Sequence, residues 1–339
     1  MDSSRINTLC WLRADQVGLL RALAQQAALN FVSVGTEDRG RSAAVAAELQ
    51  PEARAENDLR AALSATDADL VLLGDAGDFG EQPADVSAIA AARTRGVLIC
   101  SLEPIPPSVS VTSESQWAQP VAAAPLHAQV VNLASPETSA VMREARHALE
   151  GFGAMTALSV SVTAGPEAGS LGARLYAAMD LLFMFAGQPE VISAQVVQPR
   201  ALRGARFEKL AQMHGTLTAS VRFADQRAAA ILASNQNGPW HHGVTILGEG
   251  GRLRVWDEGF VWTDPSGKIV DEHRTEMPAD AEPAPTGLAL RLRHAIESPK
   301  PRSHTAVVLA MAETAMLSAR TGNAESPSTL LRTAGVPDR

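Results

Sequence analysis

In the first hundred residues, short and almost wholly apolar runs alternate with alanine-rich stretches of helical spacing, and this alternation restricts the fold more than any other feature. The runs lie at 6–11, 30–34, 67–73 and 96–100, the last reading Gly-Val-Leu-Ile-Cys. The stretches at 16–29, 42–49 and 84–95 separate them; in the first, Val17, Leu20, Leu23 and Ala24 fall on one helical face. A strand that is apolar on both sides must be covered on both sides, so the runs predict a parallel sheet with helices on each face. Right-handed crossovers then give a doubly wound, Rossmann-like domain.

The texture changes at 104–125, where five prolines and interspersed serines read as a connector. A helix is expected at 136–150, a strand at 158–163, and a second helix at 169–186 with Leu171, Leu175, Met179 and Leu182 at helical spacing, stopped by Gly187 and Pro189. From 191 to 271 short alternating strands are separated by turns at Gly248-Glu249-Gly250-Gly251 and Asp264-Pro265-Ser266-Gly267. Helices at 287–297 and 304–321 close the chain. The expected organisation is a Rossmann-like domain over 1–121, then an α+β domain over 122–339 with a large, mostly antiparallel open sheet and C-terminal helices.

Composition narrows the function. With 46% apolar and 19% charged residues the 339-residue chain can bury a substantial core. A formal charge of −8 argues against a nucleic-acid partner. No apolar run is long enough to span a membrane, and no signal-peptide stretch follows Arg5, so a cytoplasmic location is expected. Cys10 and Cys100 are too few for a disulfide scaffold or a zinc site. His241 and His242, adjacent on an expected strand, point to opposite faces, and no metal site is expected. Lysine occurs only at 209, 268 and 300, and histidine is absent from the first 126 residues, which excludes any chemistry needing either from the N-terminal third.

The helix end at 179–189, the hairpin at 244–253 and the closing helix at 312–322, in this order, resemble the Gfo/Idh/MocA family of NAD(P)-dependent oxidoreductases. Residues 179–189, Met-Asp-Leu-Leu-Phe-Met-Phe-Ala-Gly-Gln-Pro, are similar to the family's D-L-x-x-x-L-x-G-x-P helix end. Residues 244–253 resemble its V-x-I-x-G-x-x-G-x-L hairpin, and 312–322 its terminal helix. The resemblance implies a Rossmann domain followed by an α+β domain whose open sheet often forms a dimer interface, and hence a homo-oligomer through the C-terminal sheet.

The positions where that family keeps its chemistry read differently here. The loop after the first strand is Cys10-Trp11-Leu12-Arg13-Ala14-Asp15, without glycine, and Trp11 and Leu12 place bulk where a pyrophosphate would lie. Arg13 either contacts a phosphate or is an ordinary surface residue. At the end of the second strand Thr36 takes the place of the ribose-binding acid, with Glu37 one step later; Arg39 and Arg41 suit a 2′-phosphate or are simply solvated. The family's E-K-P lysine is replaced by Glu103, a general base or an ion-paired carboxylate. Its D-x-x-x-H pair falls on Ala173 and Ala177, leaving Tyr176 and Asp180 as neighbours able to move a proton or merely to pack. Two readings follow. One is a catalytically degenerate member acting as a binding, regulatory or partner subunit, alone or with an intact paralogous oxidoreductase, with no cofactor in the usual mode. The other is an oxidoreductase on a sugar-like or polyol substrate, using NADP through Arg39 and Arg41 and Glu103 or Tyr176 for proton transfer.

Overall fold

The computed structural model describes residues 5–121, 124–136, 139–236, 238–275, 282–298 and 304–336; the side chains of Arg39, Ser115 and Val121 lie outside the description. The chain forms two compact units. The first comprises Met1–Ala134, Glu167–Gly169 and Ala284–Thr305; the second comprises Ser135–Pro166, Ser170–Pro283 and Ala306–Arg339.

The first unit is built on strands β1 (Ile6–Trp11), β2 (Leu29–Gly35), β3 (Arg54–Glu56), β4 (Leu70–Leu73), β5 (Leu98–Ser101), and, beyond the small pair β6 (Pro120–Val121) and β7 (Ala124–Pro125), β8 (Val130–Asn132). Six of them form one parallel sheet in the order β3-β2-β1-β4-β5-β8, the Rossmann order. Every residue of β4 is buried, as its all-apolar sequence requires. Helices α1 (Val17–Ala27), α2 (Ser42–Leu49), α3 (Leu59–Ala65) and α4 (Pro83–Thr94) make the crossovers.

Local chemistry sets the ends of these helices. The side chain of Asp58 accepts from the amides of Arg60 and Ala61 to start α3. Pro83 occupies the first turn of α4, where its missing N–H is no loss. The expected helix at 16–29 is shorter, because Ala28 takes a left-handed conformation (φ 54°) and the chain turns directly into β2. The 104–125 segment, expected as an aperiodic connector, instead contains α5 (Val109–Thr112), α6 (Ser115–Ala118) and the β6–β7 pair. Trp117 explains the difference: it is fully buried and its indole N–H donates to the Gly80 carbonyl at 3.1 Å, pinning the segment to the unit's core.

The second unit begins with α7 (Ala140–Ala148), where an element was expected from 136; residues 137–138 lie outside the described residues. β9 (Met155–Thr163) and α8 (Leu171–Ala186) follow, then β10 (Val191–Val197), β11 (Thr216–Arg222), β12 (Ala228–Ser234), β13 (His241–Gly248), β14 (Gly251–Trp256), β15 (Gly259–Thr263) and β16 (Ile269–Arg274). The eight strands form one sheet in the order β10-β11-β12-β9-β13-β14-β15-β16, antiparallel throughout except where β9 meets β12. Period-two burial gives this sheet two unlike faces. Leu217, Ile231, Val160, Ile246 and Leu253 are buried on one, while Thr218, Ala230, Arg252 and Arg254 are exposed on the other. Of the closing helices, α9 (Pro283–Glu297) lies almost wholly in the first unit, where Arg291 donates to the carbonyls of Leu133 and Ala134; α10 (Thr305–Thr321) and α11 (Pro327–Thr333) belong essentially to the second. The fold class is therefore the one the apolar patterning predicts.

Candidate functional site

In the first unit β1 stands between β2 and β4, so the crossovers leave it in opposite directions and open a crevice at its carboxyl end. A pocket of about 220 Å³ lies there, lined by Leu12, Arg13, Thr36, Glu37, Arg41 and Asp75 among others. Trp11 does not line it. Strand alternation turns Trp11 to the same side as Leu9, into the core cluster that holds Leu63, Ile89 and Trp117. The indole lies over Gly35, where a Cβ would come within 2.2 Å of the ring. The expectation that Trp11 fills the phosphate position is thereby overturned; of the two bulky residues only Leu12, 1% exposed, lies against the pocket.

The turn after β1 is closed by a side chain. Gln16 is fully buried; its amide oxygen accepts from the Arg13 N–H at 2.9 Å, and its amide nitrogen donates to the carbonyls of Gly74 (3.0 Å) and Glu167 (3.1 Å). A glycine-rich loop leaves such a first amide for phosphate, whereas here glutamine uses it.

The Arg13 guanidinium pairs with Asp15 at 3.0 Å and Asp75 at 3.5 Å. Burial would make it easier to deprotonate, but the fields of Asp75, Asp15 and Glu103 outweigh that and hold it firmly cationic. Burial pushes the Glu37 carboxyl above the usual carboxylate range, Asp75 and Asp78 push it further, and Arg13 opposes them. The Glu37 carboxylate lies against Gly77, whose φ of 52° and missing Cβ leave room for it. Glu103, 2% exposed, follows β5 and donates its N–H to the Ser101 hydroxyl. Arg41 is exposed at the pocket rim; the side chain of Arg39 lies outside the described residues.

In the second unit α8 is almost entirely buried, and the Ser170 hydroxyl caps it by accepting from the Ala173 N–H. Ala173 and Ala177 are fully buried, and Tyr176 is 2% exposed. The Asp180 carboxylate accepts a hydrogen bond from the Ser135 hydroxyl. Arg174, also fully buried, lies over Trp240 at 4.9 Å from the ring centre. Trp240 meets His242 edge-on, and the His242 ring lies 3.1 Å from the Asp257 carboxylate. His241 and His242 take opposite faces of the sheet.

No family model matches the chain, and no curated protein matches it by sequence. Solved structures do resemble it. An oxidoreductase from Agrobacterium radiobacter, in complex with NAD+, L-tartaric acid and magnesium, aligns over 97% of this chain and 100% of its own with a TM-score of 0.64 at 16% identity. A levoglucosan dehydrogenase in complex with NADH and levoglucosan aligns over 95% and 99%, with a TM-score of 0.66 at 12% identity. A myo-inositol dehydrogenase from Corynebacterium glutamicum aligns over 95% and 98%, with a TM-score of 0.60 at 14% identity. The chain has the Gfo/Idh/MocA two-domain fold.

Within this Gfo/Idh/MocA fold, the structure brings Arg13, Thr36 and Arg41 to one pocket, with Glu103 acting on Arg13 through its field. Tyr176 and Asp180 belong to the other unit, on buried turns of α8. Sequence reasoning missed Gln16, whose residue type carries no sign of a loop-closing role. It also missed Asp75, although its place in Gly74-Asp75-Ala76-Gly77 just after β4 was a usable signal. Among the described residues no group of three or more His, Cys, Asp or Glu is arranged to hold a metal ion, and no helix is long and apolar enough to cross a membrane.

Proposed function

We infer that this protein is an oxidoreductase that binds a nicotinamide dinucleotide and acts on a small sugar-like or polyol substrate with residues other than a lysine–histidine pair. The observation that carries this reading is the pocket at the carboxyl ends of β1 and β2, kept open because Trp11 turns into the core. Its volume suits the nucleoside end of a dinucleotide, with Thr36 and Glu37 placed for ribose hydroxyls and Arg41 for a 2′-phosphate. Arg13 is the cation nearest the turn that a diphosphate would approach, and the amide it would otherwise offer is held by Gln16. A bound nicotinamide would supply hydride exchange. In this reading either Glu103 or Tyr176 holds or moves the accompanying proton, and Asp180, bonded to Ser135, anchors α8.

The test is absorbance at 340 nm with NADPH or NADH and a panel of polyols and keto-sugars. Turnover reduced by Glu103→Gln or Tyr176→Phe is expected; no change with any pair defeats the reading. A second reading, a binding or regulatory subunit without turnover, is favoured by one observation. Ala173 and Ala177, at the places that would carry an aspartate and a histidine, are fully buried and offer no proton.

A further inference from the structure

The loop after β4, Gly74-Asp75-Ala76-Gly77, meets the turn after β1 at the pocket. Its backbone is fixed there, because the N–H groups of Gly74 and Asp75 both donate to the Trp11 carbonyl, at 2.7 and 3.3 Å. These bonds set the Asp75 side chain in the pocket wall, where its two oxygens have different tasks. Oδ1 accepts from the Gly77 N–H at 3.0 Å and closes the loop on itself. Oδ2 faces the Arg13 guanidinium at 3.5 Å.

The first task needs only an acceptor, whereas the second needs a charge. The Asp75 side chain is 16% exposed and that of Arg13 33%, so water screens this pair less than one on the open surface. Asp15 also pairs with Arg13, but it is more than half exposed and does not line the pocket. The ionisable groups of the lining are Glu37, Asp38 and Asp75 on the acidic side and Arg13 and Arg41 on the basic side. A diphosphate approaching Arg13 therefore meets a carboxylate already placed on that guanidinium, and the two anions repel.

We propose that Asp75 sets the affinity and selectivity of this pocket by competing with the phosphate groups of the ligand for Arg13. The proposal rests on the dinucleotide reading above. Asp75→Asn tests it, since the amide keeps the size and an oxygen for the Gly77 N–H while the charge is lost; Asp75→Ser, whose hydroxyl also closes such a turn, repeats the test. The full chain is titrated with NADH and NADPH by fluorescence, and with inorganic pyrophosphate and adenosine by calorimetry. Both variants should bind the nucleotides and pyrophosphate about three- to tenfold more tightly than the native chain, with no gain for uncharged adenosine. In an Arg13→Gln background the gain should disappear, because it runs through that guanidinium. Glu190→Gln, which removes one negative charge from the other unit, should change nothing. Equal nucleotide and pyrophosphate binding by the native chain and both variants overturns the proposal and leaves the dinucleotide reading standing. A gain that persists without Arg13, or that extends to adenosine, overturns it as well. Tighter pyrophosphate binding with no nucleotide bound by any variant upholds the role of Asp75 and removes the dinucleotide reading. No binding of any charged probe by any variant defeats both.

Discussion

Replacing Gln16 tests whether a side chain closes the turn after β1. The residue is fully buried and makes three hydrogen bonds of 2.9–3.1 Å, all to backbone groups. Gln16→Met keeps nearly the same volume and removes all three, so its cost is that of the bonds. Each contributes about 1 kcal/mol net, and more where the abandoned group stays away from water, which places the loss near 3 kcal/mol. Gln16→Ala adds an unfilled space and should cost more. Urea unfolding followed by tryptophan fluorescence measures both, with the exposed Gln25→Ala on α1 as a control expected within about 0.5 kcal/mol of the native chain. A Gln16→Met variant as stable as the control would refute the closure.

Three further outcomes follow from the same structure. Because burial and two aspartates raise the Glu37 pKa from 4.5, its ionised form is a net cost; the stability it contributes when protonated is complete below pH 4.5 and lost as pH rises through the raised value. Glu37→Gln should therefore raise the melting temperature at pH 8, with a gain that fades toward pH 4; a gain that grows on acidification would be the wrong sign. Ala28→Gly should stabilise by about 0.5–1 kcal/mol, since Ala28 holds a left-handed conformation that glycine adopts without strain, and a loss in denaturant midpoint would contradict this. Burial pushes the Cys10 thiol far up and leaves both cysteines without exposed surface, so a thiol-specific disulfide reagent should react with neither until the chain unfolds.

What the residues alone disclosed follows from how each element earns its burial. β1, β2, β4 and β5 were legible because central strands must be apolar on both sides. β3, reading Arg-Ala-Glu, and β8, three residues long, were not, since at the sheet's margins backbone pairing suffices without an apolar run. The packed course of 104–125 depends on Trp117, one residue whose partner, the Gly80 carbonyl, is 37 positions away. At the site, Arg13, Thr36 and Arg41 line one pocket because each follows the carboxyl end of β1 or β2. The role of Trp11 was misjudged because size was weighed without the period-two alternation that sends the ring to the core. That same alternation correctly separated His241 from His242. The near-complete burial of Glu103 could not be anticipated, because a glutamate after a parallel strand is ordinarily solvated.

The most direct test of the central reading is a fluorescence titration of the full chain with NADPH and with NADH. Saturable binding in the micromolar-to-millimolar range is expected, weakened by Arg41→Ala and by Arg13→Ala. No change in signal with either nucleotide at millimolar concentration would contradict the account.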